Sequence, residues 1–124
     1  MLTREQIDAQ RDRDYITFHV PEWDGSVLLT PISATDRAKL ENVTIDAKET
    51  GKRADQRSML CAMSIVDEDG KRLYSDSEIA ILGNRNARAL DRIMDKALEL
   101  SGMRNEDFED AAKNSGAAPT DDST

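Results

Sequence analysis

The sequence predicts an α+β fold, mostly α: an N-terminal β-hairpin, then a small helical bundle, then a disordered C-terminal tail. Three observations carry that expectation. Ile16, Phe18 and Val20 alternate with Tyr15, Thr17 and His19, a period of two that buries one face of a strand. From Ser33 to Ala112 the apolar residues recur at helical offsets, punctuated by glycines. From Asn114 onward, NSGAAPTDDST has no apolar period and too little apolar content to order itself. The expected layout is a single domain over residues 1–113, with the hairpin at about 14–32 and helices at about 33–112, then a tail at 114–124. A hairpin followed by helices, without βαβ alternation, is the order of an α+β fold.

Residues 3–11 have the start of a short helix, with Thr3 as cap and Gln6 three residues on, but little to bury. Pro21 ends the first strand because proline has no N–H for the ladder. Asp24-Gly25 supplies turn chemistry, glycine taking positive φ without steric cost. Val27 to Ile32 is a second β-type run, so the two close as a hairpin across a loop of several residues. Ser33 or Thr35 then caps a helix with Leu40, Val43 and Ala47 on one face, and Gly51 stops it. A second helix starts at Asp55, with Met59, Ala62, Met63 and Val66 on one face and Leu60 beside them. Asp69-Gly70 is a turn, and Leu73-Tyr74 is extended after it. Ser75 to Glu78 forms a capping box for a short helix through Ile79, Ile81 and Leu82, ending at Gly83. Asn84 or Asn86 opens the strongest helix, with a stripe of Ala87, Leu90, Ile93, Met94, Ala97 and Leu98 and a stop at Gly102. Asn105 caps a last short helix through Phe108 and Ala112.

Composition narrows the function. Of 124 residues, 38% are hydrophobic and 34% charged, enough for one modest core with a large wetted surface. The net charge of −8 argues against phosphate-backbone binding, and the basic residues are interleaved with acids, as in Arg11-Asp12-Arg13-Asp14. No nucleic acid and no anionic membrane surface is therefore expected as a partner. The first residues have no apolar core of a leader and no run approaches a bilayer span, so a reducing cytosol is the expected compartment.

The residues that attract a catalytic or metal reading do not complete one. His19 is the sole histidine, on the polar face of a strand, with no nucleophile or carboxylate placed beside it. Cys61 lies in an apolar helical run, where a thiol behaves as a small hydrophobe. Asp67-Glu68-Asp69-Gly70 invites a calcium loop, but placing Gly70 at its sixth position puts Ile65 at the first and Asp76 at the twelfth. No phosphate-binding glycine loop occurs. The expectation is no enzyme, no cofactor and no metal. Trp23 stands apart. Set in the hairpin loop, it either folds back onto its own domain or anchors another protein. The residues expected at a partner surface are Pro21, Glu22, Trp23 and Asp24, with Met59 and Met63 as an adaptable apolar stripe.

Three passages, in this order, resemble a known family. They are Phe18-His19-Val20-Pro21-Glu22-Trp23-Asp24-Gly25-Ser26-Val27, the run from Met63 through Asp67-Glu68-Asp69-Gly70-Lys71-Arg72-Leu73-Tyr74 to Asp76, and the amphipathic stretch from Leu82 to Gly102. Together they are similar to the tail assembly chaperones of long-tailed, non-contractile phages, over about residues 15 to 115. Tyr74 stands where that family commonly has Phe. The resemblance implies a protein that coats the tape measure protein, recruits tail tube subunits around it, and is absent from the mature virion. It implies action in the host cell cytoplasm, with self-association left open. It also implies a longer product made by ribosomal frameshifting, and Ala112-Lys113-Asn114 is compatible with a slippery codon run. The competing expectation is a structural head–tail joining or tail-completion subunit that persists in the particle.

Overall fold

The computed structural model describes residues 1–50 and 55–103. Helix α1 (Arg4–Asp8) is closed at its start by a reciprocal cap: Gln6 N–H donates to Thr3 Oγ1 at 3.2 Å, and Thr3 N–H donates to Gln6 Oε1 at 2.9 Å. It buries nothing, so its order is local.

Strands β1 (Ile16–Val20) and β2 (Gly25–Leu29) pair antiparallel, with Val20 opposite Gly25 and Ile16 opposite Leu29. The hairpin is thus shorter at both ends than 14–32. Its turn is a single 3₁₀ turn, Pro21–Trp23, closed by Asp24 N–H donating to the Pro21 carbonyl at 3.1 Å. The positive φ falls on Asp24 (φ 48°) and not on Gly25, which is already the first residue of β2. Aspartate tolerates the left-handed region better than most side chains, which is why the turn closes one residue early.

Helix α2 (Ala34–Thr50) begins where Ser33 Oγ accepts from Asp36 N–H at 3.1 Å, and it buries Leu40. Helix α3 (Gln56–Ser64) is capped by Asp55, whose Oδ1 accepts from Ser58 N–H at 3.0 Å. It crosses the middle of the molecule, packing on both α2 and the later helix α5 (Ala87–Leu100). Val66 was expected on this helix but lies beyond it. The chain leaves the helix at Ile65, and Ile65–Val66 form β3, antiparallel to β2 with Ile65 opposite Leu29. The sheet order is β1-β2-β3. Thr30 N–H continues the attachment, donating to the Ser64 carbonyl at 2.9 Å.

After β3, Asp67 Oδ1 accepts from the amides of Asp69 and Lys71, and Gly70 takes φ 81° to turn the chain. Of the extended segment expected at Leu73-Tyr74, the ladder keeps one bridge, Val66 to Arg72, and Leu73 N–H donating to Ile65. The Glu78 carboxylate reaches back to the Ser75 amide at 2.9 Å, starting a 3₁₀ turn (Asp76–Glu78) that runs into α4 (Ile79–Leu82).

Helix α5 (Ala87–Leu100) is capped by Asn86, whose Oδ1 accepts from Ala89 N–H at 3.1 Å. Its buried stripe is Ala89, Leu90, Ile93, Ala97 and Leu98; Ala87 points to solvent. Gly102 (φ 69°) ends it, with Gly102 N–H donating to Glu99 and Met103 N–H to Leu98 at 2.8 Å. That pair of bonds needs a left-handed residue between them, and glycine takes it at least cost.

The core has two parts. One joins sheet to helices: Val20, Leu29 and Ile65 against Cys61, Ala62, Leu82, Ala89, Leu90 and Ile93. The other lies between α2, α3 and the end of α5: Ile32, Leu40, Leu60, Met63, Ala97 and Leu98. Small residues on α3 and α5 let the two helices approach until Cys61 Sγ is 3.4 Å from the Leu90 carbonyl. Burial pushes the Cys61 thiol up to about 12, so at neutral pH it is a protonated packing group. The Gly51 stop, the Asn105 helix, the domain end at 113 and the tail at 114–124 lie outside the described residues.

Gly83 seals α4 against the start of α3. A Cβ there would sit 3.0 Å from Asp55 Oδ2 and 3.1 Å from Ser58 Oγ, the two groups that cap α3. Its backbone is ordinary right-handed helix, so alanine would otherwise be favourable. Gly83→Ala is expected to cost about 1 kcal/mol, because overpacking displaces the cap, and a thermal melt would register it. A raised melting temperature would show that the cap yields freely.

Candidate protein-binding groove

The 3₁₀ turn of the hairpin sets Trp23, half-buried, against the sheet-side core, beside the segment that follows β3. An apolar groove of 240 Å³ opens there, lined by Trp23 and Val27 of the hairpin, Ile65 of β3, Leu73 and Tyr74 after it, Leu82 of α4, and Arg85. Trp23, Val27 and Tyr74 pack their inner faces on the sheet-side core. Leu73 keeps 53% of its surface in water, a large apolar side chain at the rim. On α4, Ile81 is also exposed, at 56%.

Glu22 fixes the turn from below. Arg92 Nε, on α5, donates to both Glu22 oxygens at 2.9 Å, and Glu22 is the more enclosed partner at 16% exposed. The hydrogen bond from Arg92, and after it the backbone bond of Glu22 itself, hold this carboxyl below its ordinary value of 4.5. The sign follows: a depressed folded pKa contributes stability above the ordinary value that is lost as pH falls through the folded value. Glu22→Gln is expected to flatten the acid side of the stability curve, read as a smaller fall in the urea midpoint between neutral and acidic pH than in the native chain. An unchanged fall would show that Glu22 is not among the groups responsible.

Three further ion pairs brace the frame. Arg57 Nε meets Asp91 Oδ1 at 2.9 Å between α3 and α5, and Asp76 receives both Arg72 (2.9 Å) and Lys39 (3.2 Å). Hydrogen bonds from those two side chains hold Asp76 below its ordinary range. Arg72 also donates from Nε to the Ala62 carbonyl at 3.0 Å, tying the chain before Tyr74 to the end of α3.

The structure separates the six residues expected at a partner surface. Trp23 lines the groove, Glu22 supports it through Arg92, and Pro21 and Asp24 are exposed on the turn. Met59 and Met63 belong to the other half of the core. Met63 is 1% exposed, enclosed where α3 faces its neighbouring helices, so as folded it supplies packing and no surface; Met59 is half-buried. Trp23 folds back onto its own domain with one face on the core, and it also lines the groove. Val27, Ile65, Leu73, Tyr74, Leu82 and Arg85 were not singled out for this surface. The signal for two of them was present in Leu73-Tyr74, an apolar pair in a polar run with no period to bury it. All three passages that carry the family resemblance contribute to this groove: Trp23 and Val27 from the first, Ile65, Leu73 and Tyr74 from the second, Leu82 and Arg85 from the third.

A family model described as phage tail assembly chaperone matches residues 6–114. The chain is similar in fold to the solved structure of the bacteriophage HK97 tail assembly chaperone, with a TM-score of 0.58 and 20% identity, covering 77% of this chain and 90% of that one. No curated protein sequence matches.

Proposed function

The chain belongs to the phage tail assembly chaperone family, and from that premise we propose that it binds the tape measure protein, recruits tail tube subunits to it, and departs before the tail is complete. It works in the host cell cytoplasm by lending surface, and it converts no substrate. The observation that carries this reading is the apolar groove under Trp23, with Leu73 left 53% exposed at its rim. Apolar surface of that kind, rimmed by polar residues on an otherwise heavily charged chain, fits a protein-binding role. A partner side chain entering it would be desolvated by tryptophan and tyrosine, the residue types that dominate binding energy at such places. A longer frameshifted product would append the tube-recruiting part after the shorter one. Reading the gene for a slippery heptamer and an overlapping frame tests that element.

Co-expression tests the core of the proposal. Tape measure protein made alone is expected to pellet, and tape measure protein made with this chain to stay soluble and co-purify with it. Equal pelleting in both cases would remove the chaperone reading for this partner.

A further inference from the structure

We propose that Arg85 sets the specificity of the groove, pairing with an aspartate or glutamate of the tape measure protein that lies beside the bulky apolar side chain entering between Trp23, Leu73 and Tyr74. This rests on the preceding reading of the partner and adds its chemistry. Among the described residues the groove lining is apolar or aromatic apart from one charged residue, Arg85. Its backbone is fixed at the rim, with Arg85 N–H donating to the Leu82 carbonyl at 3.0 Å, so the guanidinium hangs from a set point. Its side chain is exposed, and among the described residues it makes no ion pair or hydrogen bond.

The surroundings sharpen the point. The chain carries a net charge of −8, yet the charged residue that lines the groove is a cation. Arg88, one helical turn further on, is also exposed and unpaired among the described residues, and its field reaches Glu22. Arg92 is already committed to Glu22. Asp24 follows Trp23 in sequence but does not line the groove. An unneutralised guanidinium at the edge of an apolar slot attracts a carboxylate and repels Lys and Arg, and the slot lowers the local dielectric that screens them. The fitting ligand is therefore a segment with a large apolar residue and an acid on the same face, the spacing a helix provides at i, i+3 or i, i+4.

The test titrates the full chain with synthetic peptides tiling the tape measure protein, by calorimetry. The tightest peptide is expected to carry an apolar residue with an acid three or four positions away. Arg85→Ala is expected to weaken it about threefold and Arg85→Glu about tenfold or more, the reversed charge adding repulsion to the lost pair. Changing the peptide acid to lysine is expected to weaken binding to the native chain and to restore at least part of it to Arg85→Glu, which a merely structural residue would not do. Because Arg85 is exposed and makes no pair among the described residues, both variants are expected to melt like the native chain. If the peptides bind but Arg85→Glu binds as tightly as the native chain, or the lysine peptide is not rescued, the assignment of Arg85 fails while the partner stands. If no peptide binds and the intact tape measure protein does not co-purify, both readings fail.

Discussion

Ile93→Ala is expected to lower the free energy of unfolding by about 3–4 kcal/mol, within the range for emptying a fully buried aliphatic site. Ile93 is 0% exposed and lies where three layers meet: Val20, Leu29 and Ile65 from the sheet, Cys61 and Ala62 from α3, and Leu82 from α4 share its cluster. Those neighbours cannot all move inward at once, because the sheet residues are held in register by the β1–β2–β3 ladder and α3 is held at its cap by Asp55. The cavity therefore stays open, and the loss includes contact energy as well as transfer energy. A domain of this size has only about 5–15 kcal/mol to lose. Trp23 is the only tryptophan, so its fluorescence reports urea unfolding directly. Ile93→Val should cost about 1 kcal/mol on the same scale. A loss under about 1 kcal/mol for alanine would mean that the layers collapse freely and that the two-part core is misassigned.

On the proposed function, Trp23→Ala is expected to weaken binding of the tape measure protein by about 2 kcal/mol or more, roughly thirtyfold, the scale of a central aromatic anchor. Tryptophan forms one wall of the groove, and its loss merges the slot with solvent, so the entering side chain is no longer desolvated. The same change costs folding energy, since the inner face of the ring packs on the core. Trp23→Phe separates the two effects: it keeps an aromatic face on the core and shortens the wall, so it should melt near the native chain and still bind several-fold more weakly. Full-strength binding by a folded Trp23→Ala protein would place the contact surface elsewhere.

Much of this architecture was legible in the sequence because local chemistry decides it. The Thr3–Gln6 and Ser75–Glu78 caps, the alternation of Ile16, Phe18 and Val20, and the Gly102 stop each depend on residues a few positions apart. The α5 stripe was readable except at its first turn, where Ala87 and Ala89 are equally small and only the direction of α5 against the sheet selects Ala89. Strand β3 was not legible. Two residues, Ile65 and Val66, carry no period of their own, and they continue the apolar run of α3; what makes them a strand is the free edge of β2 at Leu28 and Leu29. The Met59–Met63 stripe shows the same ambiguity, since an apolar helical face reads alike whether a neighbouring helix or a partner covers it. The groove was the least legible feature. Trp23 and Tyr74 are about fifty residues apart in sequence, and only the β2–β3 pairing and the Gly70 turn bring them to one surface.

The transient role is tested most directly by quantitative mass spectrometry of infected cells and of particles purified from them. A chain that lends its surface during assembly and then leaves should be abundant in cells that are building tails and essentially missing from finished virions. A fixed number of copies per mature particle would contradict that, and would make this chain a building block of the tail.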